Sequence, residues 1–224
     1  MRLTIILILF NLLTLNNSLS SELAKGLKKI DDYKIKGKKN FLSDFEALVS
    51  DNLANIVIEI PKNTNQKWEV SKIDGSLEHE FFMGTPRIIN YGNYPVNYGM
   101  IPKTVLPINL GGDGDPLDAI VLGNPLPRGT VLKAKIIGLL KMTDTGEQDD
   151  KIVAVQEDSI YYKFNDVNEI LENDDQLLIE ISEWFESYKG NNIVSFINYS
   201  SQNEAINLIK FASKNYIRYG VRPR

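Results

Sequence analysis

The sequence predicts an α+β fold: a small barrel or sandwich of short strands with two helices packed on it from the C-terminal third. Two observations predict it. Between residues 55 and 155, short apolar and β-branched runs alternate with turn clusters of Gly, Pro, Asn and Asp. Beyond residue 173 the apolar spacing changes from strand-like to helical. With 224 residues, 43% of them hydrophobic, the chain is long enough for one domain with a real core. No internal repeat or linker divides it.

Arg2 precedes a Leu- and Ile-rich run from Leu3 to Leu15, and small residues follow at Ser18 and Ser20. That order predicts a secretory signal over residues 1–20, cleaved near Ser20, and hence an exported protein, periplasmic or secreted. The run is too short, and too broken by Asn11 and Thr14, for a transmembrane helix of about 20 residues. The alternative is a buried N-terminal helix in a cytoplasmic protein. Residues 21–54 read as an N-terminal arm, lysine-rich and flexible up to residue 40, and residues 55–224 as a single domain. Within the arm, Phe41–Val49 predicts a short helix, with Ser43 as N-cap and Glu46 at the capping-box position.

Asn55-Ile56-Val57-Ile58-Glu59-Ile60-Pro61 predicts a strand with a carboxylate near its end. Lys67–Ile73 alternates like a half-buried strand, and Asp74-Gly75 signals a hairpin turn. Residues 84–112, rich in Gly, Pro, Asn and Tyr, read as loops and short strands. Val131–Leu140 alternates apolar residues with Lys133 and Lys135, and Lys151–Val155 is a further strand after the acidic turn Asp144–Asp150. Leu177, Leu178, Ile181, Trp184, Phe185 and Tyr188 recur at helical spacing over Asp174–Tyr188, and Gly190 supplies the stop. A second helix is predicted from Ser201 to Arg218, with Ala205, Leu208, Ile209, Ala212 and Ile217 near one face.

The formal net charge is −4, and loss of residues 1–20 would remove Arg2 and no acid. An acidic chain argues against a nucleic-acid or anionic-membrane binder, which needs a basic face. There is no cysteine, so disulfides, thiol catalysis and zinc–thiolate sites are excluded. His79 is the one histidine, which excludes a His-based metal site, and it reads as a surface residue. Trp184, on the helical stripe, reads as core.

The most informative stretch is Gly111-Gly112-Asp113-Gly114-Asp115-Pro116-Leu117-Asp118. Glycine permits positive φ and proline fixes φ near −65°, so three carboxylates are held on one stiff turn before the apolar run Ala119–Leu122. Like charges this close disfavour one another, and a hard divalent cation with all-oxygen ligation removes the conflict. An EF-hand fails here. Its sixth position would be Asp118 instead of glycine, and its twelfth Asn124 instead of a bidentate Glu. A solvated acidic loop is the bland alternative for a generic Asp-x-Asp; the third Asp, the proline and the following strand lift this stretch above it.

Together with Ile58-Glu59-Ile60-Pro61, Lys67-Trp68-Glu69, Tyr94-Pro95-Val96-Asn97-Tyr98-Gly99, Asp144–Lys151 and Tyr188-Lys189, this turn resembles the soluble inorganic pyrophosphatases of family I. The segments occur in the family's order over about residues 55–190. The resemblance implies a five-stranded OB-like barrel flanked by helices and Mg²⁺-dependent hydrolysis of pyrophosphate to two phosphates, in a chain that forms a homo-oligomer. It also implies roles. Asp113, Asp118 and Asp149 would hold metal, joined by Asp144 when substrate binds. Asp115 would be the general base, and Glu59 and Glu69 supporting or additional metal-site carboxylates. Lys67, Lys151 and Lys189 would bind phosphate oxygens, with hydroxyl hydrogen bonds from Tyr98 and Tyr188 and support from Tyr94.

The chain departs from the family's pattern in three places. Thr145 stands where many members carry Glu. Residues are inserted between Met83 and Tyr94, so the family's phosphate-binding Arg aligns near Phe81, and Arg87 is the nearest candidate for its role. Finally, the family is mostly cytoplasmic. The alternatives are a hydrolase of another phosphoanhydride, such as short polyphosphate, and an inactive metal- or phosphate-binding module. The set Asp115, Asp118, Asp149 and Lys151 argues against the module, which would need no base.

Overall fold

The computed structural model describes residues 23–190 and 192–220, so the expected signal segment over residues 1–20 lies outside them. The strands are β1 (Lys28–Asp31), β2 (Lys34–Lys36), β3 (Leu48–Ser50), β4 (Leu53–Ile60), β5 (Trp68–Val70), β6 (Leu77–His79), β7 (Phe81–Phe82) and β8 (Thr85–Pro86). They continue as β9 (Asn97–Met100), β10 (Asp118–Leu122), β11 (Val131–Asp144), β12 (Glu147–Gln148), β13 (Lys151–Val155) and β14 (Val194–Ser201). The helices are α1 (Val167–Asn173), α2 (Asp175–Ser187) and α3 (Gln202–Tyr219). The class is α+β, as predicted. Among the described residues no helix is long and apolar enough to cross a membrane.

The largest sheet runs β11-β13-β10-β9-β4, and β4 pairs in turn with β11. A 14-residue β11 can serve both neighbours: Val131–Lys135 lie against β4, and Lys135–Leu140 against β13. β10 and β13 are parallel, the other pairs in this circuit antiparallel. Successive residues point to opposite faces. Ile120, Leu122, Val153 and Val155 join the cluster that receives Leu178, Ile181 and Phe185 of α2. Ala119, Val121, Ile152 and Ala154 join the cluster that receives Ala205, Ile209 and Ala212 of α3. With both faces covered, these strands are continuous apolar runs.

β11 differs from its expectation for the same reason. It continues to Asp144, and Ala134–Leu140 is buried throughout instead of alternating. Lys135 is buried, its ammonium donating to the Tyr162 carbonyl and sitting over the Tyr162 ring. The helical expectations for α2 and α3 hold within two residues, except that Ile217 is exposed. α1 and β14 were not predicted. α1 is seven residues, too short to show a periodic stripe, and is capped by the Asp166 side chain, which accepts from the Asn168 N–H. β14 pairs along β11 and only Val194 in it is buried, with Ser195, Ile197 and Asn198 exposed, so Ser195-Phe196-Ile197-Asn198 carries little apolar patterning.

A smaller sheet has the order β1-β2-β6-β5. Residues 28–36, expected to be flexible, form its outer hairpin, and Ile35 is buried with Phe41, Trp68, Val70 and Leu77. β1 is exposed along its whole length, and Lys34 and Lys36 flank the buried Ile35 on β2, which made the segment read as a polar arm. The helix expected over Phe41–Val49 is absent. Asn40 Oδ1 accepts from the N–H groups of Leu42 and Ser43, an Asx-type turn that competes with a helical start, and Leu48–Ser50 pairs with β4. His79 is not a surface residue: it is buried against Trp68, ring centroids 5.0 Å apart, and its Nε2 lies 3.0 Å from the Arg87 carbonyl.

Candidate active site

The acidic turn is pinned from both sides. The Gly114 N–H donates to the Leu106 carbonyl at 2.8 Å, and the Leu106 N–H to the Asp115 carbonyl at 3.1 Å. Asp113 Oδ1 accepts from the Asp115 N–H at 2.9 Å, and the Thr104 hydroxyl from the Leu117 N–H at 2.9 Å. Gly114 has φ 82°, and a Cβ on Gly112 would stand 2.4 Å from Leu106 Cβ, so glycine is required at both. The Asp115 carboxylate faces Lys72, whose ammonium forms an ion pair with Oδ1.

Strand register supplies the next group. The parallel pairing of β10 and β13 sets Asp118 beside Lys151. Lys151 Nζ, nearly fully buried, lies 3.0 Å from Asp118 Oδ2 and 3.0 Å from Asp149 Oδ1. Burial works against the Lys151 charge, but Asp149 and Asp118 outweigh it and hold the ammonium above its usual range. Burial likewise opposes the charge on Asp118, and Lys151 and Lys67 bring its carboxyl below the usual range. Asp149 is pushed up, by burial first. Tyr98, on β9 beside β4, is buried, and burial holds its hydroxyl well above the usual range, that is, protonated.

The second acidic segment is the β11–β12 hairpin, turning through Thr145 and Gly146 at φ 50° and 91°. The Gln148 N–H donates to the Gly111 carbonyl at 3.0 Å and ties it to the first acidic turn. At the C-terminal end of α2, Trp184 stacks on Tyr188 at 5.0 Å and 7°, and Lys189 forms an ion pair with Asp144. The opposite wall comes from β5 and the β7–β8 hairpin. Lys67 Nζ lies 3.0 Å from Glu69 Oε1 and sits over the Tyr98 ring, and Arg87 Nη1 lies 2.7 Å from Glu80 Oε1.

These groups line one cleft of about 340 Å³. Twelve of the fourteen residues singled out from the sequence are on its wall: Lys67, Glu69, Arg87, Tyr98, Asp113, Asp115, Asp118, Asp144, Asp149, Lys151, Tyr188 and Lys189. Glu59 and Tyr94 are not; both are buried behind it. Glu59 Oε1 accepts from the Val70 N–H at 2.6 Å, and burial pushes its carboxyl up to about 8. Tyr94 packs on Trp184 with ring centroids 4.4 Å apart. Sequence reasoning missed Lys72, Glu80, Glu147 and Gln148, which also line the cleft. The available signal for Lys72 was its place five residues after Lys67, at the end of the same strand segment. Glu80 and Arg87 are brought together by a hairpin that no motif announces.

The cleft carries eight carboxylates and five basic side chains, an acidic excess. Among the described residues no three acid or histidine side chains are grouped to hold a metal ion, and lysine ammoniums pair with Glu69, Asp115, Asp118, Asp149 and Asp144. The donor set nevertheless fits a hard divalent cation. It is all oxygen, carboxylate-rich and free of sulfur and imidazole, and it is held on stiff turns.

A charge-rich cleft of interleaved carboxylates and ammoniums beside a buried strand circuit is the kind of site an enzyme offers a small charged substrate. The family model for inorganic pyrophosphatase matches residues 56–217. The inorganic pyrophosphatase of Helicobacter pylori is 36% identical over 167 residues, spanning 72% of this chain and 90% of that protein. Among solved structures, the type I inorganic pyrophosphatase of Toxoplasma gondii aligns with a TM-score of 0.78 at 26% identity, over 86% of this chain and 97% of that one. A truncated Trypanosoma cruzi vacuolar soluble pyrophosphatase, solved in complex with PPi, shares the fold with a TM-score of 0.75 at 20% identity, over 96% and 98% of the two chains. The chain belongs to the inorganic pyrophosphatase family, enzymes that hydrolyse pyrophosphate.

Proposed function

We propose that this protein hydrolyses inorganic pyrophosphate to two orthophosphates in a Mg²⁺-dependent reaction, with the circuit β4-β9-β10-β13-β11 serving as a five-stranded OB-like barrel. The observation that carries the reading is the charge balance of the cleft. Eight carboxylates against five basic groups repel a polyanion, so pyrophosphate enters with added cations. Asp113, Asp118 and Asp149 would hold them, with Asp144 and Glu69 at the edge. Bound there, a hard divalent cation supplies positive charge opposite the phosphoryl oxygens and acidifies water.

The remaining steps fall to the chain's own side chains. Lys67, Arg87, Lys151 and Lys189 hold phosphoryl oxygens as point charges or forks, and the Tyr98 and Tyr188 hydroxyls donate to them. Asp115 takes a proton on its free carboxylate oxygen from the water that attacks phosphorus. The bridging P–O bond breaks, and the second phosphate departs with that oxygen. Lys72 holds the other oxygen of Asp115 and fixes the carboxylate's direction. Buried Glu59, anchored on the Val70 N–H, supports β5 behind Lys67 and Glu69.

The test is phosphate release from pyrophosphate and from tripolyphosphate, each with and without Mg²⁺. Pyrophosphate hydrolysis that requires Mg²⁺ and exceeds tripolyphosphate hydrolysis supports the reading. A preference for tripolyphosphate would assign another phosphoanhydride, and no release at any Mg²⁺ concentration would leave a binding module. We also propose export, on the Leu3–Leu15 run, and assembly as a homo-oligomer. N-terminal sequencing of the native protein and sedimentation velocity test these two. An intact Met1 on a cytoplasmic pool, or a monomer, would overturn them.

A further inference from the structure

The β7–β8 hairpin overlaps the start of the segment where the family resemblance implies an insertion, and the two residues that close its base both line the cleft. The Arg87 N–H donates to the Glu80 carbonyl at 2.8 Å, the Glu80 N–H to the Lys67 carbonyl at 2.9 Å, and the Lys67 N–H to the Arg87 carbonyl at 3.0 Å. This closed ring of three main-chain bonds sets Lys67, Glu80 and Arg87 side by side on one wall. Arg87 Nη1 then donates to Glu80 Oε1 at 2.7 Å. Glu80 Oε2 is buried and accepts no hydrogen bond.

A carboxylate on the wall of a polyanion site works against binding unless it has another task. An arginine delivered by a hairpin has a long side chain with much rotamer freedom to lose on binding. Glu80 meets both points. We propose that Glu80 is a positioning residue, whose carboxylate holds one edge of the Arg87 guanidinium so that the rest of the fork meets a substrate phosphate. Nη1 is engaged by Glu80, and the planar fork offers Nε and Nη2 besides. The hairpin thereby carries Arg87 to the cleft and brings its counter-ion with it. The inference rests on the reading that Arg87 binds substrate phosphate.

The experiment is a double-mutant cycle on pyrophosphate hydrolysis with Glu80→Ala, Arg87→Ala and the pair, and Glu80→Gln as the variant that keeps a hydrogen-bond acceptor. Glu80→Ala should lower kcat/KM about 5- to 50-fold, chiefly through KM, as expected for loss of a charge-assisted hydrogen bond that orders a binding group. Glu80→Gln should retain part of that loss, and the main-chain ring should keep the melting temperature of both near wild type. In the Arg87→Ala background, Glu80→Ala should cost less than twofold. Equal losses in the two backgrounds, or wild-type kinetics for Glu80→Ala beside an impaired Arg87→Ala, would overturn the positioning role alone. Wild-type kinetics for Arg87→Ala would instead overturn the role of Arg87, and the inference with it. If Glu80→Ala misfolds, Glu80→Gln decides by the same cycle.

Discussion

Asp115 and Asp118 are three residues apart, and the proposed function gives them different work. Asp118 is half-buried, 3.0 Å from the nearly fully buried Lys151 ammonium, and Lys151 and Lys67 hold its carboxyl below the usual range. Asp115 is about a third exposed and meets Lys72 through one oxygen. Asp115→Asn keeps the shape and a hydrogen-bonding oxygen but cannot accept the proton, so turnover should fall by about 10²–10⁴-fold. On the proposed roles Asp118→Asn removes a ligand charge, and it should shift the Mg²⁺ dependence to higher concentration. Turnover and Mg²⁺ titration of the two variants side by side check this. Full recovery of Asp115→Asn in excess Mg²⁺ would make Asp115 a ligand and place the base elsewhere. The sequence marked both residues because the Asp-x-Asp-Pro-x-Asp spacing is local; it did not show that Lys72, in the turn after β5 and 43 residues earlier, meets Asp115.

At the scale of elements, two turns invite tests. In the turn between β5 and β6, Asp74 is held well below the usual carboxylate range, first by the Ser76 hydroxyl at 2.5 Å and then by Lys34 and Lys36. A carboxyl lowered in the folded state stabilises above its unfolded pKa, and that contribution fades as pH falls through the folded value. Asp74→Asn should therefore cost about 1 kcal/mol at pH 7, the scale of a net hydrogen bond. The cost should shrink below about pH 4. Urea unfolding at both pH values measures it, and a gap that ignores pH would remove the carboxylate from the account. In the β11–β12 turn, Thr145 is a β-branched residue at φ 50°, a conformation that disfavours L side chains by about 1–2 kcal/mol. Asn-Gly suits such a turn, so Thr145→Asn should raise the melting temperature without changing turnover, since Thr145 does not line the cleft. An unchanged or lower melting temperature counts against strain there. The turn was legible as Gly-containing and acidic, but its positive φ at Thr145 was not, because threonine is a poor signal for that conformation.

For the whole molecule, the acidic excess of the cleft links cation binding to stability. A ligand that binds the folded state alone adds about 2.7 kcal/mol at a hundred times its Kd. Millimolar Mg²⁺ should raise the melting temperature, and a chelator should reverse this together with activity. Asp118→Asn should lose most of the shift, whereas Thr145→Asn should keep it. A melting temperature indifferent to Mg²⁺ and chelator would show that the lysine ion pairs alone neutralise the carboxylates.

The sequence by itself determined the class of fold, the two long helices, the acidic turn and twelve residues of the cleft wall, because each is written in local spacing or in a run of motifs. Period distinguishes α2 from β10, and glycine with proline fixes the turn carrying Asp113, Asp115 and Asp118. The tertiary structure decided the rest. It made residues 28–36 a sheet edge, since flanking lysines hide the buried Ile35, and it made Phe41–Val49 a turn, since the Asn40 side chain takes the first N–H groups. It placed His79 under Trp68, and Glu59 and Tyr94 behind the wall instead of on it. It also brought Lys72 to Asp115 and Glu80 to Arg87. Each of those contacts depends on strand register and loop closure between segments, and neither leaves a trace in the residues taken one stretch at a time.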